Sequence, residues 1–187
     1  MRERETVNFN NGRINRITFV FSCPGQEELK SGELVFGRTG CNLELLLKEL
    51  KKRDFIAEDF KDRYDFRITN SHNQVYYKGY LGKNDKRTEP LDSKIKEISN
   101  LERLIEELKE TEVIICFGKK SKYALSQIKD KLNEKSKILY SRHLGLMSLN
   151  QIKDDIQGKP LENGNKENTI KRIEVIAQNL TEQYLNN

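Results

Sequence analysis

Short apolar runs alternate along the chain with longer stretches in which apolar residues recur every three or four positions. Ile17 to Phe21 is an apolar run, and Tyr64 to Thr69 (YDFRIT) alternates with a period of two. Val113 to Phe117 (VIICF) is apolar throughout, and Lys137 to Ser141 (KILYS) is a fourth segment of strand character. Between them lie helical patterns. Leu43, Leu46, Leu47 and Leu50 follow i, i+3, i+4, i+7 spacing. Ile95, Ile98, Leu101, Leu104, Ile105 and Leu108 share one face of a helix predicted from Asp92 to Lys109. Ala124, Leu125, Ile128 and Leu132 mark a helix from Ser121 to Leu132, and Ile170, Ile173, Ile176, Ala177 and Leu180 mark a last one over 169–185. An unbroken apolar run such as Val113 to Phe117 suits a strand covered on both faces.

This alternation predicts an α/β chain: a single domain over 1–187, built as a three-layer α/β/α sandwich around a central four-stranded parallel sheet. Its core is expected over 16–150. Residues 1–15 are polar and read as frayed or edge structure, 51–61 as a charged connection, and 158–166 as a turn-rich linker. A polar loop near 20 residues spans 71–90. Loops of that length in compact domains are more often functional than idle.

Loops that follow the carboxyl ends of parallel strands share one edge of the sheet. Four are expected to converge: Ser22 to Gly25, Asn70 to Asn73, Gly118 to Ser121, and Arg142 to Gly145. They carry a serine, an asparagine, two histidines and Pro-Gly backbone. The glycine-rich turn Gly37-Arg38-Thr39-Gly40, placed just before the first helix, adds backbone N–H groups that can approach something small, planar or anionic. No P-loop lysine motif, no dinucleotide-binding glycine fingerprint and no paired carboxylates accompany these loops. The set suits a small neutral heterocycle held by amide and imidazole hydrogen bonds.

Composition narrows the picture slightly. Lys and Arg outnumber Asp and Glu by 34 to 29, a formal charge of +5 that fits a nucleic-acid partner without requiring one. Cys23, Cys41 and Cys116 are an odd number without C-x-x-C spacing, which argues against a metal site and for a reducing, cytoplasmic setting. No signal peptide and no membrane-spanning apolar run are visible. A monomer without cofactor, metal or membrane contact is expected.

Four motifs, in order, carry a resemblance to the uracil-DNA glycosylase superfamily, over about residues 16–150 and most closely to its bacterial and archaeal iron–sulfur-type branch. That branch has V-G-E-x-P-G-x-x-E-D followed by G-R-P-F-V-G-x-A-G, and Val20 to Glu28 and Gly32 to Gly40 are similar in order and spacing. Thr69-Asn70 with Lys86-Arg87-Thr88-Glu89-Pro90 resembles the strand-end asparagine and its N-R-x-P loop. Val113 to Lys119 resembles the strand and G-K element, and His143-Leu144-Gly145 the His-Pro-Ser motif. Ser22 stands where the family has glutamate, and the four cluster cysteines have no counterparts.

The resemblance implies a protein that takes a flipped base out of DNA and cleaves its N-glycosidic bond. His143, Asn70 and Ser22 would occupy the catalytic positions. Asn70 would read the Watson–Crick edge and His143 would donate to the base O2 as negative charge develops. Cys23, Pro24, Gly25 and Phe36 would line the base pocket, with Phe36 stacking on the base. Arg38 and Lys119 would meet phosphates, and Leu144 and Leu146 would form the wedge that fills the vacated stack. Uracil or another deaminated base is the expected substrate. The alternative is a catalytically inactive protein of the same fold that binds nucleic acid or a nucleotide.

Overall fold

The computed structural model of the chain describes residues 8–80 and 82–186. Five strands form one sheet: β1 (Phe9–Asn10), β2 (Ile14–Phe21), β3 (Phe66–Asn70), β4 (Val113–Phe117) and β5 (Lys137–Ser141). Their order is β1-β3-β2-β4-β5. The four inner and far strands are parallel, while β1 pairs antiparallel with β3 through Phe9 opposite Thr69. The sheet is therefore five-stranded and mixed, not four-stranded and parallel. The two-residue β1 escapes a periodicity search because two positions carry no period. It is the edge structure expected within 1–15; residues 1–7 lie outside the described residues.

Helices cover both faces. Leu43, Leu46, Leu47 and Leu50 of α2 (Gly37–Lys52) and Ile173, Ile176, Ala177 and Leu180 of α7 (Lys166–Asn186) pack on Ile17, Phe19, Phe66 and Ile115. On the other face, α3 (Asp92–Ile95), α4 (Ile98–Leu108) and α5 (Lys119–Ile128) cover Val20, Ile114 and Cys116. Leu43, Leu46, Leu47 and Leu50 are fully buried, a gain of about 1.5–3 kcal/mol apiece. Two short helices, α1 (Gln26–Ser31) and α6 (Leu146–Leu149), sit in loops at the carboxyl edge of the sheet.

The helix predicted over 92–109 is broken at Lys96-Glu97. The Asn100 amide donates both to the Ile95 carbonyl and to the Ser71 carbonyl, at 2.7 and 2.9 Å. One side chain thus ends α3 and anchors the loop after β3, a long-range bond that helical spacing cannot foreshadow. Ile98, counted on the buried face by its spacing, is 76% exposed.

Two features hold α7 in place. Arg172 is fully buried, and its guanidinium donates to the carbonyls of Ile152, Leu161 and Glu162 and to Oδ1 of Asn163. It ties the segment after α6 to the last helix. Gln183 donates to the Tyr140 carbonyl and accepts from the Tyr140 N–H, at 3.0 and 2.9 Å, along the outer edge of β5.

Candidate functional site

Parallel sheets place ligands at the point where strand order reverses. Here that is between β2 and β4, whose following helices α2 and α5 lie on opposite faces. A cleft of about 620 Å³ opens at that edge, with Ser22, Asn70 and His143 among its walls. Three of the four strand-end loops meet there. The fourth, at Gly118, packs behind His143 instead: a Cβ on Gly118, whose φ is +90°, would lie 3.5 Å from the His143 Cβ.

The Ser22 and Asn70 loops are laced together beyond the strand ends. Ser71 N–H and His72 N–H donate to the Phe21 and Ser22 carbonyls, and Ser71 Oγ donates to the Ser22 carbonyl at 2.6 Å. Arg103 of α4 donates to the Asn70 carbonyl at 2.9 Å. The Asn70 and Ser22 carbonyls are satisfied, yet Nδ2 of Asn70 and Oγ of Ser22 are buried without a hydrogen-bond partner. A buried polar group without a partner costs about 1–3 kcal/mol. Two of them in one cleft offer a donor amide and a hydroxyl to a ligand.

His143 has a defined tautomer. Its Nδ1 accepts the Gly145 N–H at 2.9 Å, so the neutral ring carries its proton on Nε2 and can donate from there. Burial holds its pKa below the usual histidine value, opposed by the Glu89 carboxylate. Phe21 meets His143 edge-on at 6.3 Å and stacks on Phe117 at 4.8 Å. It occupies the floor of the cleft as a rigid wall.

His72 accepts the Gln74 N–H on Nδ1 and packs against Tyr76. Burial, then the neighbouring Arg103, lowers its pKa too. The chain's two histidines therefore bind protons more weakly folded than unfolded. Stability is full above about pH 6.5, the reference histidine value, and falls as pH drops through the two lowered values. Urea unfolding at a series of pH values from 7.5 downwards should show this loss, and His72→Gln should remove part of it.

Several expected residues lie elsewhere. Gly37 to Gly40 is the first turn of α2, not a turn before it. A Cβ on Gly40 would sit 2.2 Å from the Val35 carbonyl oxygen, so Gly40 serves that close approach, and it lies outside the cleft lining. Val35 itself has φ of +50°, a strained value for a β-branched residue, and it lines the cleft. Gly40→Ala should destabilise the fold by roughly 1–3 kcal/mol in urea unfolding, because backbone must move to admit the methyl group.

Phe36 precedes α2, is 37% exposed and lies outside the cleft lining. Pro24 is buried, with its carbonyl accepting the Tyr76 N–H. Leu144 is fully buried in the core beneath the loop, held by Asn42 donating to its carbonyl at 2.7 Å, and cannot act as a wedge. Leu146 does stand at the cleft, beside Met147, which is 87% exposed. Arg38, Cys23 and Gly25 line the cleft, whereas Lys119 lines a separate groove. Burial pushes the Cys23 thiol up to about 12, so it stays protonated. Among the described residues, no cluster of three or more His, Cys, Asp or Glu is placed to hold a metal ion, and no helix is long and apolar enough to cross a membrane.

Among the lining residues given no site role by sequence are Tyr76 and Glu28. Tyr76 brings an aromatic ring from the long 71–90 loop, which folds back to the cleft together with Thr88 and Glu89. Cys23 donates its S–H to the Thr88 carbonyl at 3.7 Å. Glu28 accepts the Gly25 N–H at 3.0 Å, and burial raises its pKa. A glutamate three residues after the helix-capping Gly25, which supplies one half of a capping box, was the available signal. No protein-family model and no curated protein matches the chain.

Proposed function

We propose that the protein is a DNA glycosylase-like enzyme that excises uracil or another deaminated base by hydrolysis of the N-glycosidic bond. The observation that carries this reading is the meeting, in one cleft, of the unpartnered Asn70 amide, the unpartnered Ser22 hydroxyl and the Nε2–H of a neutral His143. The strand order β3-β2-β4-β5, with four parallel strands between covering helices, supports the same reading. So does the motif order along residues 16–150.

The chemistry follows from those groups. A base turned out of its stack enters the cleft edge-first. The Asn70 amide both donates and accepts, complementing a carbonyl and an adjacent ring N–H. As the glycosidic bond breaks, the bonding pair stays on the departing base. Nε2–H of His143 donates to the oxygen that takes up this charge. A neutral donor suits an anion that must leave, since the ring keeps its proton. Water supplies the hydroxyl that ends on the sugar, and its proton goes to solvent or the base. Tyr76 replaces Phe36 as the aromatic wall for the base. Leu146 and Met147 are the apolar side chains at the rim that would enter the gap in the stack. On this reading the partner is DNA and the working unit a monomer in the cytoplasm.

A second reading, a non-catalytic protein of this fold that binds nucleic acid or a nucleotide, is favoured by one observation. The carboxylates lining the cleft are Glu28, whose oxygen is taken up by the Gly25 N–H, and Glu89, which is exposed. Neither stands at Ser22, where a water-handling carboxylate would belong. Oligonucleotides carrying uracil, hypoxanthine or xanthine opposite each partner base decide between the two. Abasic product that vanishes in Asn70→Ala supports the enzyme. Tight binding with no abasic product from any of the three overturns it in favour of the binder.

A further inference from the structure

Beside the base cleft lies a second depression, a groove of about 880 Å³ and so larger than the cleft. It runs along the outer edge of β5, between the start of α5 and the last turns of α7, and the segment 152–154 forms its far wall. Four cations line it: Lys119 and Lys122 from α5, Arg142 from the loop after β5, and Lys153. Asp154 and Glu182 are the carboxylates in the lining, so the groove has an excess of positive charge. None of the four cations makes an ion pair among the described residues. Arg142 donates to the Ser148 carbonyl, Lys153 to the Asn150 carbonyl, and Lys122 lies 4.9 Å over the Tyr140 ring. Neutral partners orient these side chains and leave their charge uncompensated. Elsewhere on α5, Lys120 is paired with Asp92 at 2.7 Å.

The groove and the base cleft share a partition. Gly118 and Arg142 line the groove, while His143, next in the chain to Arg142 and packed against Gly118, lines the cleft. A polymer with a base in the cleft therefore meets the groove within a residue's reach of His143. The polymer that presents a base and carries negative charge at every residue is a nucleic-acid strand. We propose that this groove holds the phosphodiester backbone flanking the nucleotide whose base enters the cleft, with Lys119, Lys122, Arg142 and Lys153 as phosphate contacts. The inference rests on the cleft taking a base from DNA, but not on that base being excised. A groove that tracks one backbone also favours a single strand, or the strand locally freed from its complement, over a closed duplex.

The test uses an undamaged, fluorescein-labelled single-stranded DNA of about 12 nucleotides, a length within the usual site sizes for such grooves. Its affinity is measured by anisotropy across a salt series for the full chain and for Lys122→Ala/Lys153→Ala. Lysines on phosphates contribute about 0.7 each to the slope of log affinity against log salt for a single strand. The double variant should lose about 1.4 from that slope and bind about tenfold more weakly at low salt. Lys122→Arg/Lys153→Arg should keep both. If the alanine variant does not fold, Lys122→Gln/Lys153→Gln reads the same slope. An unchanged slope and affinity in the neutral variants overturns the proposal, as does polyglutamate competing as well as the oligonucleotide. The two readings fail separately. Slope lost in a protein that excises nothing upholds the groove and removes the enzyme. Excision with an unaltered slope does the reverse.

Discussion

His143→Ala is expected to lower the rate of base excision at saturating substrate by about 10²–10³-fold, the usual cost of removing one donor that faces developing negative charge. Substrate affinity should change little, because the donation strengthens only as the bond breaks. The neighbourhood makes this a sharp test. Gly145 N–H occupies Nδ1, leaving Nε2–H as the one donor, and burial keeps the ring neutral at pH 7. His143→Gln restores a donor with looser placement and should recover part of the rate. The wild-type rate should fall on acidification below the ordinary histidine range, since a proton added at Nδ1 displaces the Gly145 N–H and turns the loop. That acid limb should vanish in His143→Gln. A limb that persists there, or a rate unaffected in His143→Ala, removes His143 from the chemistry.

Arg172→Met is expected to destabilise the fold by roughly 2–5 kcal/mol, read from the urea midpoint with the slope unchanged. Methionine fills much of the arginine volume, so the loss measures the hydrogen bonds more than a cavity. The Ile152 and Leu161 carbonyls would lose their donor inside the core, and the Glu162 carbonyl and Asn163 side chain would lose theirs at its margin. No carboxylate accompanies Arg172 in the hydrogen bonds that hold it, so deleting the charge strands no partner ion, and the cost comes from the orphaned carbonyls. Arg172→Lys keeps the charge but cannot span the same acceptors and should fall between the two. Because the tether reaches Ile152, the same variant should loosen the neighbouring segment 152–154, visible as faster amide exchange there.

The sequence made the layers legible and left the joints illegible. The leucines of α2 and the apolar run of β4 announce their elements because their periods are dictated by burial on one face or on both. That Asn70 and His143 would meet at one edge of the sheet was legible from their position after strands, since parallel topology fixes where those ends lie. Phe36 and Leu144 show where local reading stops. Val35, next to Phe36, and Leu146, two residues past Leu144, line the cleft instead, because the direction of a side chain in a loop depends on contacts such as Asn42 on the Leu144 carbonyl, 102 residues away. Tyr76 was hidden for the same reason: its N–H on the Pro24 carbonyl and the Cys23 thiol on the Thr88 carbonyl bring the long loop to the cleft. The helix break at Lys96-Glu97 depends likewise on Asn100 reaching Ser71.

The Gln183 amide on Tyr140 has a bearing on how the protein behaves in a crowded solution. A sheet ends wherever a strand has no neighbour, and such a strand is a template for a second chain. On β5, one glutamine occupies both backbone groups of Tyr140, acting as a single-residue surrogate strand. Its hold is only as firm as the seating of α7, which is pinned at its first turns by Arg172. Anything that lifts the last helix would bare an edge rich in Ile138, Leu139 and Tyr140. Self-association would then begin along the very groove that borders the cleft, and it would bury the cations that line it.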